Sequence, residues 1–287
     1  MSVGTEVAAA LQPRRPITGP QAVGEDKRRM LYLAAALALT DFKLRFFGSL
    51  LGYFWQLVRP LLLFGVLYLV FTEFVRLGKG VPFYPVLLLS NIVLFTFFSE
   101  GSAALNSLVD RESLVRKVQF PLLAIPLATV LFASFNLVLN GLAVLVFALA
   151  SGVHPHWSWF EFPLLVGALW AFVFGLAMLL SALYVRFRDV KPIWEVTLQL
   201  FFYGTPIIYA IETIHISGSL QELIMCNPLA AILQQFRHAM IDPGAPSAAA
   251  AAGGAARLLI PAAIVIGVFA LGLWFFNREA PRAAEQL

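Results

Sequence analysis

The sequence predicts an all-α membrane protein that crosses the bilayer six times, with an amphipathic helix before the first crossing and short helices on the outer side. Three observations predict it. Of 287 residues, 60% are hydrophobic and 13% are charged, where a soluble domain carries about a quarter charged residues. Apolar stretches of bilayer length follow one another with few breaks, and Lys and Arg gather beside one set of loops. With a mean hydropathy of +0.82, a soluble globular enzyme is excluded. The net charge of +4 would suggest nucleic acid in a soluble chain, but cations flanking apolar runs are orientation signals. Cys226 is the single cysteine, so no intrachain disulfide and no cysteine-cluster metal site can form.

Each crossing needs about 20 mostly apolar residues, because a helix rises about 1.5 Å per residue through a core about 30 Å thick. Residues 57–74, 84–105, 122–150, 162–184, 193–211 and 258–276 qualify. The fifth is irregular: it carries Glu195, Thr197 and Gln199, then Gly204-Thr205-Pro206, a combination that breaks or kinks a helix. Sixteen of the 20 Lys and Arg fall on one face of this arrangement, with Arg76, Lys79, Arg237 and Arg257 on the other. By the positive-inside rule both termini are expected to be cytoplasmic. No charged n-region with an apolar core and cleavage site opens the chain, so no cleaved signal peptide is expected.

The domain plan follows from these boundaries: a cytoplasmic tail, 1–26; an amphipathic interface helix, 27–55; the six-span domain, 56–276; and a cytoplasmic tail, 277–287. In the interface helix, Phe42, Phe46 and Phe47 are expected to be immersed beside Asp41, Lys43 and Arg45 at headgroup level. Gly48 to Gly52 has the small-xxx-small spacing, which serves intrachain packing or a dimer contact equally.

Residues 106–121 form a cytoplasmic stretch with a capping-box-like start at Ser107 and Asp110 and an apolar face of Leu108, Val115 and Val118. It reads as a helix resting on headgroups, or as a docking element in which Leu108, Leu114 and Val115 offer an apolar knob and Arg111, Arg116 and Lys117 steer a partner. The shorter loop with Arg186, Arg188 and Asp189 is mainly a topology signal, and Asp189 suggests a contact with one of those arginines or a partner. On the outer side, 212–256 is too long for a simple turn. Asn227-Pro228 is a helix start, and Leu229, Ile232, Leu233, Phe236 and Met240 give the helix an apolar face, with Gln234, Gln235, Arg237 and His238 on its wetter side. The segment reads as short helices that cover an opening, or as a loop resting on the membrane; 245–256 reads as an Ala/Gly spacer.

Polar groups at membrane depth mark packing or functional sites. Asn136 and Asn140 share a face and are expected to bond helix to helix; Glu100 is expected to snorkel, pair with Arg59 or line a path. Phe201, Phe202 and Tyr203 beside the kink offer flat faces to sugar rings. No phosphate-binding loop, nucleophile elbow or zinc-helix motif occurs, and His154-Pro155-His156 reads as interfacial. No catalytic or metal site is assigned.

The order of these features resembles the membrane subunit of type 2 ABC exporters of polysaccharides and polyol phosphates, of the Wzm and TagG kind. The resemblance begins near Asp41 and rests on Phe42-Lys43-Leu44-Arg45-Phe46, Ser49-Leu50-Leu51-Gly52-Tyr53-Phe54-Trp55, Pro60, Leu114-Val115-Arg116-Lys117-Val118-Gln119-Phe120-Pro121 and Pro126. It continues with Arg186-Phe187-Arg188-Asp189-Val190, Trp194, Pro206-Ile207-Ile208-Tyr209, Asn227-Pro228 and Arg237. A Pro-rich extension through Gly24 and the insert at 245–256 depart from the pattern. The resemblance implies a homodimeric permease, without an ATPase site of its own, that works with two copies of an ABC ATPase holding ATP and Mg and moves a lipid-linked polysaccharide such as O-antigen, capsule or teichoic acid. It implies that 106–121 is the coupling helix, that the segment after Tyr209 is the outer gate and that the chain sits in the bacterial inner membrane; Arg59, Glu100, Phe201, Phe202, Tyr203, Pro206, Tyr209, Asn227 and Arg237 are the candidates for the substrate path and gate. A type 2 exporter of a smaller lipid or drug, a membrane-embedded glycan-modifying enzyme and a stand-alone channel are the alternatives.

Overall fold

The computed structural model describes residues 27–46, 50–76, 78, 80–111, 121–213 and 217–286, with no strand among them. The helices longer than one turn are α1 (Lys27–Phe46), α2 (Leu50–Leu69), α3 (Tyr84–Ser102), α4 (Ala124–Ala150), α5 (Phe162–Arg186), α6 (Val190–Gly204), α7 (Gly218–Met225), α8 (Pro228–Phe236) and α9 (Leu259–Gln286). A wider turn, Val70–Phe74, extends α2.

Among the described residues five helical stretches are long and apolar enough to cross a membrane: Phe54–Phe74, Tyr84–Asn106, Ala124–Ala150, Trp157–Arg186 and Ala255–Glu279. The expected sixth crossing is not one helix. α6 has 15 residues, about 22 Å at the helical rise against a core of about 30 Å. Pro206 explains the stop, since proline drives the residue before it out of helical geometry, and Thr205 is extended at φ −101°, ψ 147°.

α3 and α5 occupy the middle of the bundle because they are apolar on every side: Leu88, Ile92, Phe97 and Phe98 of α3 and Leu169, Val173 and Met178 of α5 are buried. Pro85 and Pro163 stand in their first turns, where a missing amide hydrogen is harmless. α2 lies at the edge with Leu62, Val66 and Leu69 exposed, and α9 exposes Ile266 and Leu271. Trp55, Trp157 and Trp274, near the ends of crossings, are exposed as interfacial aromatics would be.

α9 packs on α5 through glycines. A Cβ at Gly175 would lie 2.8 Å from the Phe269 Cα, and one at Gly272 would fall on the Gly175 carbonyl. Apolar side chains gain nothing by leaving lipid, so close backbone approach is what holds two such helices together.

Two expectations are corrected. Leu50 to Trp55, expected in the interface helix, belong to α2 and run directly into the first crossing. α1 also does not immerse Phe42 in lipid: its ring lies 6.3 Å from Phe132 and 5.9 Å from Phe135 of α4, and Ala34 and Ala38 are buried on the same side. Phe47, Gly48, Ser49 and the 1–26 tail lie outside the described residues.

Replacing Gly272 with Val should push α9 off α5 and lower stability by about 1–3 kcal/mol, read as a lower Tm of the purified chain in detergent. Gly267→Ala, where the added carbon meets nothing within 4 Å, should leave Tm unchanged or slightly raised.

Candidate functional site

α6 runs antiparallel along α3, and side chains fix it there at every level. Trp194 Nε1 donates to Ser102 Oγ at 3.3 Å. The Phe201 ring centre lies 5.3 Å from that of Phe98, and Phe202 lies 5.1 Å from Phe95. Beyond Gly204 the chain continues along α3 without helical hydrogen bonds. Asn91 Nδ2 donates to the Pro206 and Ile207 carbonyls at 3.0 and 3.1 Å, and Tyr84 Oη donates to the Ile208 carbonyl at 2.7 Å. Helix and joint together therefore cover α3 from Ser102 to Tyr84. Non-helical backbone is tolerated at this depth only where protein supplies its partners, and Asn91 and Tyr84 supply them.

The joint leads into a cap built from α7, α8 and 242–258. Asn227 starts α8, its Oδ1 accepting from the Leu229 amide at 3.0 Å with Pro228 next in line, as the sequence predicts. Asn227 Nδ2 also donates to Thr205 Oγ1 at 3.0 Å, which fastens cap to joint. Arg237 is 2% exposed. Its Nη1 donates to Glu212 Oε2 at 2.8 Å, its Nη2 meets Glu212 Oε1 at 2.5 Å, and Asp242 lies 3.8 Å away. The cap is tied to the start of α5: Gln235 Nε2 donates to Glu161 at 2.7 Å and Ser158 Oγ to the Ala239 carbonyl at 2.6 Å.

The cap corrects two expectations. Gln234 and Arg237 do not face water; both are buried, because Gln234 Nε2 donates to the Pro246 carbonyl at 2.7 Å and Arg237 has its carboxylates. The 245–256 stretch is not a loose spacer. Ala245, Ala248, Ala251 and Ala252 are buried, and Gln221 Nε2 holds the Ala251 carbonyl at 3.1 Å. Small side chains let this stretch lie close against α7 and α8.

A second polar cluster joins α2, α3 and α4. Glu100 accepts from Asn136 Nδ2 at 2.7 Å and from Gln56 Nε2 at 3.5 Å, and Asn140 Nδ2 donates to the Asn136 carbonyl at 2.9 Å. Asn136 thus bonds helix to helix as expected, whereas Asn140 bonds back to its own helix. Glu100 is held by amides rather than by Arg59, which is exposed on α2.

At the opposite end from the cap, Leu108 is buried in the core, so it supports its segment from within and offers no knob to a partner. Arg111 forms an ion pair with Asp41 of α1. Arg186 lies 3.9 Å from Glu279 of α9, and Arg188 stacks over Tyr184 at 5.0 Å. Asp189 is exposed and makes no ion pair among the described residues. Leu114, Val115, Arg116 and Lys117 lie outside the described residues.

The candidates near the kink therefore divide. Pro206, Tyr209, Asn227 and Arg237 meet at joint and cap; Phe201 and Phe202 are packed on α3 and are not free platforms; Tyr203 is 68% exposed. Sequence reasoning did not single out Asn91, Tyr84, Glu212 or Asp242, and named Thr205 only as part of the break. Asn91 carried a signal, being an amide within an apolar run like Asn136, whereas the two carboxylates lie in a loop where acids are common.

Arg237→Ala should strand Glu212 beside a buried gap and destabilise the cap by about 3–5 kcal/mol. Hydrogen exchange should become faster in α7 and α8 while α5 keeps its protection. A double-mutant cycle with Glu212→Ala should return a coupling above about 1 kcal/mol.

Residues 32–241 match the ABC-2 type transporter family. The O-antigen export system permease protein RfbA of Klebsiella pneumoniae is 30% identical over 257 residues, covering 89% of this chain and 95% of that protein. The protein of the same name from Myxococcus xanthus is 29% identical over 217 residues, covering 75% and 83%. A second Klebsiella pneumoniae permease of that name is 27% identical over 212 residues, covering 73% and 80%. The family match runs from α1 through the joint and across α8, the parts that carry the geometry above, and the chain belongs to the ABC-2 type transporter family, membrane-embedded transport subunits that work with an ABC ATPase.

Proposed function

We propose that this chain is half of a homodimeric permease that, with two copies of a separate ABC ATPase, moves a lipid-linked polysaccharide across the bacterial inner membrane, both termini being cytoplasmic. The O-antigen export names of the relatives support the substrate class. The observation that carries the reading is on α6. Glu195, Gln199 and Tyr203 recur every four residues, one turn on from Lys191 at the cytoplasmic start of α6, and all are exposed, a polar row along a helix that enters membrane depth. Such a row is costly against lipid and is accommodated where it borders water or a partner chain. Here it is the wall of the path, and hydroxyl-rich sugars exchange hydrogen bonds with it as they would with water. Beside it, Ile193, Val196 and Leu200 are exposed at three- and four-residue spacing, an apolar strip suited to a second copy.

ATP and Mg stay on the partner. Closure of the ATPase pair pushes on 106–121, and the ion pair of Arg111 with Asp41 carries that push to α1, which lies along α4. α3 and α6 then move away from their dimer mates, and the glycan threads outward beneath the lifting cap.

The test is surface glycan in cells lacking the native chain, complemented with variants. Wild type should support export only beside an ATPase with an intact phosphate-binding loop. Val115→Asp should lose export together with copurification of the ATPase. Gln199→Leu should keep the complex but lower export about tenfold, the loss of one to two hydrogen bonds' worth of stabilisation. Unchanged export and partner binding in Leu114→Asp and Val115→Asp would count against the docking assignment.

A further inference from the structure

Most polar side chains among the crossings bond back to their own helix, as Ser90, Thr96 and Asn140 do, or to one another. Glu100 and Asn136 bond together, and Arg237 has Glu212. Asn91 differs. It is 1% exposed on α3, yet it directs both amide hydrogens to backbone carbonyls of another element, those of Pro206 and Ile207. Two turns earlier on the same helix, Tyr84 takes the next carbonyl, that of Ile208. Three successive carbonyls of one short segment thus depend on two side chains of α3, while Thr205, at its start, is bound by Asn227 of the cap.

This segment has only two ways to satisfy its carbonyls. Pro206 interrupts α6 and Thr205 is extended, and no backbone amide among the described residues donates to the Pro206, Ile207 or Ile208 carbonyl, so their partners come from the side chains of α3. The alternative partner is water, which reaches the segment only when the path beneath the cap is wet.

We propose that Asn91 is a positioning residue for export: it holds Thr205 to Ile208 in the form that seats the cap, and release of its two hydrogen bonds is the step that lets the cap lift. The proposal rests on the gate reading above and adds the residue that sets the gate's closed state. An amide suits the task because one nitrogen carries two donors. Leucine has similar size and no donor; aspartate has the same shape and presents acceptors to acceptors.

The chain carries its own reporter. Cys226, its single cysteine, stands between α7 and α8 and is partly buried. In lipid nanodiscs, the rate of Cys226 alkylation by a membrane-impermeant maleimide reads how often the cap lifts, and hydrogen exchange in α5 reads the fold. Asn91→Leu and Asn91→Asp should be alkylated about tenfold faster than wild type, and Tyr84→Phe about threefold faster, with α5 protection unchanged in all three. Wild-type rates in both Asn91 variants would overturn the proposal, as would faster alkylation accompanied by equal loss of protection throughout α5. If the Asn91 variants do not accumulate, Tyr84→Phe decides: faster alkylation at full α5 protection supports the joint, and a wild-type rate overturns it. With the ATPase present, Asn91→Leu should keep ATP hydrolysis while hydrolysis per exported glycan rises about tenfold. Failure of the exporter reading has a separate signature, wild-type export that persists without the ATPase, and leaves the alkylation comparison intact.

Discussion

Peptide carbonyls at membrane depth have to be met from within the protein, and around Pro206 a helix cannot meet them. The rest of the arrangement follows from that constraint. α3 carries an amide and a phenol at the levels where α6 has already stopped, and their hydrogen bonds hold Pro206, Ile207 and Ile208. Because the joint is irregular, the chain can change direction and form a cap instead of leaving as a plain loop. Because it is fastened to α3 on one side and to Asn227 on the other, a movement of α6 is felt by the cap.

The cap uses the opposite strategy from the crossings. Where the crossings rely on apolar packing and glycine contacts such as Gly175 with Gly272, the cap is a network of charged and amide groups around small alanines. Arg237 is the deepest of these, and its guanidinium matches the two oxygens of Glu212. A buried ion pair adds little net stability over apolar packing, but it is costly to leave half made. That makes it suited to a part that must either be fully seated or be displaced as a body.

Much of this could be read from the sequence, and what could not has physical reasons. Crossing stretches announce themselves through composition, so the five in α2, α3, α4, α5 and α9 were legible to within a few residues, although α2 begins earlier, at Leu50, and α9 stays helical to Gln286 where a tail was expected. The break at Gly204 to Pro206 and the start of α8 at Asn227-Pro228 were legible because proline and the capping asparagine act locally. What stayed hidden is what depends on distant partners. Gln234 and Arg237 sit at positions that read as solvated until Pro246 and Glu212 are brought beside them. The 245–256 stretch looked featureless because alanine gives no directional signal, although its small size is what lets it pack. Phe42 read as a lipid anchor because nothing local reveals that Phe132 and Phe135 face it. Leu108 fits an amphipathic docking pattern equally well when its apolar face turns inward.

The central claim is that this chain is a passive conduit half, driven only by a second protein that hydrolyses nucleotide. The most direct measurement is transfer of a fluorescent lipid-linked glycan across proteoliposomes that hold the chain alone, the chain with its ATPase, or the chain with an ATPase unable to hydrolyse ATP. The account predicts ATP-dependent transfer in the second preparation only. Transfer against a gradient, or ATP hydrolysis, by the chain alone would contradict it.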